Sequence, residues 1–116
     1  MSSFTIYHNP RCSKSRQTLA LLNERGIEPE IIEYLKWPLS FDDLKSLQQK
    51  LDVPAVAMIR SKEQAFKDLG LNDGQPSDAS LLEAIATHPV LLERPIVVCA
   101  DNAVIGRPPE NVLELL

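Results

Sequence analysis

The sequence is sparing with the residues that build metal sites, disulfide scaffolds and membrane spans. In 116 residues there are two cysteines, two histidines and four glycines. Two cysteines do not make a disulfide framework, and in a reducing compartment both Cys12 and Cys99 are expected as thiols. His8 and His88 stand far apart and neither accompanies a paired-cysteine motif, so no set has zinc-ligand spacing and no metal is assigned. No run approaches the roughly 18 apolar residues of a membrane span, and the N-terminus lacks a charged-then-apolar signal. A cytoplasmic protein with no membrane partner is expected. A net charge of −4 argues against nucleic acid as a partner, because phosphate binding needs a basic face. There is no internal repeat, low-complexity segment or linker. Apolar content of 44% and charged content of 24% then suit one domain over residues 1–116.

What the chain does have is His8-Asn9-Pro10-Arg11-Cys12-Ser13-Lys14-Ser15-Arg16. An alternating apolar run, Phe4-Thr5-Ile6-Tyr7, precedes it, and Gln17-Thr18-Leu19-Ala20-Leu21-Leu22 reads as helix after it. Cys12 therefore stands where a strand turns into a helix. Free backbone N–H groups and the positive dipole end at a helix start favour a thiolate over a thiol. Arg11, Lys14 and Arg16 push the same way, and such neighbours do not belong in a core. Cys12 is read as a reactive nucleophile. His8, at the strand end, either hydrogen-bonds backbone or packs beside Cys12 as an imidazolium that lowers the thiol pKa.

Taken in order, residues 3–7 form a first strand and 13–25 a helix with Leu19, Leu22 and Thr18 inward and Gly26 as its stop. Residues 30–34 form a second, parallel strand. Ser40 with Asp43 is a capping box for a helix over 41–50, with Leu44, Leu47 and Leu51 as its apolar stripe. A short helix over 54–59 ends at Arg60. Ser61 with Gln64 suggests a further capped start running to Leu69, with Gly70 as stop. Ser77 opens a helix over 78–87 that buries Leu81, Leu82 and Ile85 and ends at Pro89. Residues 96–99 and 103–106 make an antiparallel hairpin about a turn at Asp101-Asn102, and Pro108-Pro109 starts a last short helix through Leu115. The order is β-α-β, a helical insertion, then β-β-α. This is an α/β chain of thioredoxin-like arrangement with a four-stranded mixed sheet.

Ser15 occupies the position where a second cysteine would complete C-x-x-C, so Cys12 has no local disulfide partner and an external thiol must complete any redox cycle. The same hydroxyl also suits a first-turn N–H. Cys99, in an apolar strand, is read as packing. Arg60, Arg94 and Arg107 each lie at an element end. Surface ion pairing accounts for any one of them, whereas several guanidinium groups converging on a thiolate would suit a bidentately bound oxyanion. Spacing does not decide between these. Arg94-Pro95 is either trans at a strand start or cis.

The chain resembles the glutaredoxin-linked arsenate reductases. The matching stretches are YHNPRCSKSRQTL (7–19), EYLKWP (33–38), HPVLLERPIVV (88–98) and IGRPPENVLEL (105–115). The resemblance implies that Cys12 is the nucleophile and that His8 favours its thiolate. It further implies that Arg60, Arg94 and Arg107 bind the oxyanion and that Pro95 is the cis-proline. The implied reaction is attack on arsenate to give a cysteine–arsenic(V) adduct, with glutathione as co-substrate, release of arsenite, and resolution of the mixed disulfide by glutaredoxin. No bound cofactor is implied.

Two other functions share the arrangement. Spx-like regulators that bind RNA polymerase typically carry C-x-x-C and lack the His-Asn-Pro approach. A general glutathione-dependent thiol reductase would need Cys12 yet be indifferent to Arg94 and Arg107. The site is not the C-G-F-S of cluster-holding monothiol glutaredoxins. Phosphatase-like arsenate reductases need C-x5-R, and Thr18 stands where that arginine would be.

Overall fold

Phe4–His8 forms β1, and its apolar alternation buries Ile6 and His8 on one face. The expected start of this strand, Ser3, lies outside the described residues. The computed structural model describes residues 4–71 and 76–116. The chain divides into two units, one running to Trp37 and resuming at Arg94, the other Pro38–Glu93.

In the first unit, β1 leads into α1 (Ser13–Glu24) and then β2 (Glu30–Glu33), which pairs parallel to β1. β3 (Ile96–Cys99) pairs antiparallel with β1 on its other side, and β4 (Asn102–Ile105) completes the order β2-β1-β3-β4. This is the expected mixed sheet. Ile6 and Val97 from the sheet meet Leu22 of α1 and Val112 of a closing 3-10 helix, Pro109–Leu115, with all four fully buried. Each such side chain contributes roughly 1.5–3 kcal/mol relative to exposure. Leu19, expected inward, is half-buried against this cluster. Gly26 takes a φ of +78° past the end of α1, the left-handed stop glycine allows without a Cβ penalty.

The hairpin turn differs from expectation by one residue. Ala100-Asp101 makes it, and Ala100 takes a φ of +56°. The register explains this, because it sets Ile96 opposite Ile105 and Val97 opposite Val104. A turn at Asp101-Asn102 would have set Val97 opposite Gly106 and forfeited those cross-strand pairs.

The second unit is helical. α2 (Phe41–Leu51) carries the expected capping box, with Ser40 and Asp43 each accepting from the other's backbone N–H, and buries Leu44, Leu47 and Leu51. A 3-10 turn spans Ala55–Met58 in place of the expected helix. α3 (Gln64–Asp68) starts later than expected and has Glu63, not Ser61, at its N-cap, with no side-chain cap. The Glu63 carboxylate is instead paired with Arg60 Nε at 3.0 Å. α4 (Asp78–Thr87) is capped by Ser77 and packs Leu81, Leu82 and Ile85 inward, as its periodicity indicates.

Candidate active site

Cys12 is the N-cap residue of α1 and is half-buried. The loop before it is built from Asn9. Its side-chain Oδ1 accepts the Arg11 N–H at 3.0 Å and its carbonyl accepts the Cys12 N–H at 3.0 Å. Asn-Pro after a strand is a turn signal of this kind, and it is the cue in the chain that marks Asn9 as the residue shaping this loop. Burial pushes the Cys12 thiol pKa up. The Ser15 backbone N–H, the Arg94 guanidinium and the Lys14 backbone N–H outweigh it, and the net shift is downward. The helix-start argument therefore holds. The cation that contributes is Arg94, however, rather than the side chains of Arg11, Lys14 and Arg16. Arg94 is distant in sequence, and only the fold brings it to the sulfur.

Ser15 is fully buried. Its Oγ accepts the Asn9 N–H at 3.0 Å and lies 2.6 Å from His8 Nδ1. The hydroxyl thus satisfies an N–H, as expected of a first-turn serine, and the residue's own N–H serves Cys12. His8 is likewise buried, and that burial lowers its pKa against the opposing pull of Glu33, with Arg16 lowering it further. A neutral imidazole follows near pH 7. His8 meets the loop at the Ser15 hydroxyl, and its ring charge is not among the causes that move Cys12.

Arg107 donates from Nη1 to the Arg94 carbonyl at 3.0 Å, so the two arginines flanking the hairpin are joined. The Arg94-Pro95 and Arg107-Pro108 bonds are both cis. Arg60 lies in the helical unit, where Nε bonds Glu63 at 3.0 Å and Nη1 bonds Glu93 at 3.0 Å. Those carboxylates outweigh desolvation and hold it charged. Neither acidic partner was foreseen, although Glu63 sits at i+3, within ordinary ion-pair reach. Cys99 is buried in β3, as a packing residue would be. Among the described residues no cluster of His, Cys, Asp and Glu could hold a metal ion, and no helix is long and apolar enough to cross a membrane.

The model of the ArsC family matches residues 7–115. The chain belongs to the ArsC family. It is 50% identical over 115 residues to a Haemophilus influenzae protein named arsenate reductase, covering 98% of this chain and 99% of that one. It is 49% identical over 112 residues to an uncharacterized Escherichia coli K12 protein, covering 96% and 94%. A solved arsenate reductase from Vibrio cholerae superposes with a TM-score of 0.94 at 56% identity, covering 98% of each chain. The α/β fold with its four-stranded mixed sheet is therefore the thioredoxin-like fold of this family's arsenate reductases.

Proposed function

We propose that this ArsC-family protein reduces arsenate to arsenite in the cytoplasm, using Cys12 as nucleophile with glutathione and glutaredoxin as reductants. The observation that carries the reading is a lowered-pKa thiol at the start of α1 beside the Arg94 guanidinium, itself joined to Arg107. Relatives named arsenate reductase support it.

The Cys12 thiolate attacks arsenic, forming an S–As(V) bond as an oxygen leaves as water after protonation. Arg94 and Arg107 stabilise the anionic oxygens with charge-assisted hydrogen bonds. A glutathione thiolate then attacks Cys12 Sγ. The S–As bond breaks, and its electron pair stays on arsenic, which becomes As(III). The two sulfurs supply both electrons and are left as a Cys12–glutathione disulfide. A glutaredoxin thiolate takes the glutathione and restores Cys12. Ser15 in place of a second cysteine agrees with this dependence on outside thiols. Arg60 is proposed as a third anion ligand from the family resemblance, its guanidinium oriented by Glu63 and Glu93. His8 is proposed as a positioning residue acting through Ser15.

The test is NADPH consumption with arsenate, glutathione, glutathione reductase and glutaredoxin. Arsenate-dependent turnover that disappears in Cys12→Ser is the expected result. Turnover retained in the variant moves the nucleophile elsewhere. A reactive Cys12 without arsenate turnover, but with turnover on glutathione mixed disulfides, replaces the reading with a general thiol reductase.

A further inference from the structure

Gly106 sits between β4 and Arg107, and its φ lies outside the left-handed region. Its need to be glycine is a need for space. A Cβ built there would stand 2.8 Å from Thr18 Oγ1, 3.2 Å from Thr18 Cγ2 and 3.0 Å from Pro95 Cγ. None of those atoms yields easily. Thr18 is fully buried and β-branched, and its Oγ1 donates to the Lys14 carbonyl at 2.8 Å while lying 3.5 Å from the Gly106 carbonyl. Pro95 is a ring, buried, and its carbonyl accepts the Gly106 N–H at 2.8 Å.

Three pieces of the site therefore meet at one residue without a side chain. Thr18 lies on α1, whose first turn presents Cys12. Pro95 follows Arg94. Gly106 precedes Arg107, whose Nη1 reaches back to the Arg94 carbonyl. We propose that Gly106 is a positioning residue, which by its close contact with Thr18 and Pro95 sets the register between the Cys12 thiol on α1 and the guanidinium groups of Arg94 and Arg107. Any side chain at 106 pushes the two arginine-bearing segments away from α1. The cost then falls on the contacts between Arg94 and the sulfur, before the hydrophobic core is touched. The inference rests on the proposed roles of Arg94 and Arg107, but its first readout needs no arsenate.

The experiment compares Gly106→Ala, Gly106→Ala/Thr18→Ala and Gly106→Ala/Thr18→Val, with the Thr18 single variants as references. The readout is the pH dependence of Cys12 alkylation by iodoacetamide, with far-UV circular dichroism for folding. Withdrawing Arg94 raises the alkylation pKa of Gly106→Ala by about half a unit or more. Thr18→Ala removes both threonine atoms that meet the new Cβ, including the 2.8 Å contact, leaves Pro95 Cγ at 3.0 Å needing to give by only a few tenths of an ångström, and so recovers most of that shift. Thr18→Val retains the bulk and does not. In wild type showing arsenate turnover, the arsenate KM follows the same order. An unmoved alkylation pKa in folded Gly106→Ala, or equal recovery by alanine and valine, overturns the proposal. Should Gly106→Ala alone not fold, the alanine double variant decides. A folded protein with the pKa of its Thr18→Ala reference supports the proposal, and an unfolded one or a raised pKa overturns it. A wild type inactive on arsenate leaves the alkylation series intact, so the two readings fail separately.

Discussion

The Arg107 guanidinium holds the main chain of Arg94, donating from Nη1 to its carbonyl oxygen at 3.0 Å. Arg94 in turn bonds the Cys12 sulfur and lowers its pKa. In the proposed reaction, anion binding and thiol activation would therefore be linked through one guanidinium. Arg94→Ala is expected to raise the alkylation pKa of Cys12 and to weaken arsenate binding by well over tenfold, as loss of charge-assisted contacts does. Arg107→Ala should weaken binding with a smaller rise in the thiol pKa. Unchanged KM in either variant removes that residue from the site.

Cys12 itself should alkylate with an apparent pKa below the roughly 8.5 of a free thiol. The linkage sign follows from that direction. The folded thiolate is favoured, so its contribution to stability is fully present above the unfolded thiol pKa and is lost as pH falls through the folded one. Thermal unfolding of wild type against Cys12→Ser should therefore diverge at alkaline pH, with wild type gaining. A midpoint for alkylation at or above the free-thiol value contradicts the thiolate assignment.

His8 acts with the same sign, in a more acidic window. Its folded pKa is lowered, chiefly by burial. Between the folded value and the ordinary value of about 6.5, the unfolded chain binds more protons than the native one. Stability then falls as pH drops through that window. His8→Gln should abolish that acid-side loss. Ser15→Ala leaves the Asn9 N–H and a buried imidazole without their partner and should cost about 1–3 kcal/mol. It should raise the thiol pKa less than Arg94→Ala does, since the Ser15 N–H remains.

Arg60→Ala tests the assignment that the family resemblance supplies. An anion ligand predicts an arsenate KM raised by roughly tenfold with the Cys12 alkylation pKa unmoved. An unaltered KM would assign Arg60 to its ion pairs with Glu63 and Glu93 and nothing more.

In the helical unit, Ser40→Ala removes one half of the capping box of α2 and should lower stability by about 1 kcal/mol. Urea unfolding checks it, and an unchanged midpoint would mean that the cap contributes nothing net.

Local chemistry was legible in the chain. The strand before the His8–Arg16 stretch, the helix opening after Cys12, the Ser40–Asp43 box, the Leu44, Leu47 and Leu51 stripe, and the glycine stop at Gly26 all depend on neighbours within a few residues. Their hydrogen-bonding and burial patterns are therefore written in spacing. The errors were local too, but each was settled by something beyond the local pattern. The helix expected from Ser61 starts instead after Glu63, whose carboxylate pairs with Arg60, and the hairpin turn moved because Ile96 and Val97 choose their partners across the sheet. The reactive thiol was deduced from its own helix start, yet the cation acting on it comes from Arg94, eighty-two positions away by number, not from the adjacent Arg11, Lys14 and Arg16. For His8 the spacing left two partners open, backbone or sulfur, and the contact the fold gives its Nδ1 is the Ser15 hydroxyl. The sequence by itself determined most of the elements, the placing of a thiol at a helix start and the lack of a second cysteine beside it. The tertiary structure decided which charge reaches the sulfur and why position 106 has no side chain, because both depend on distances between segments that no spacing along the chain encodes.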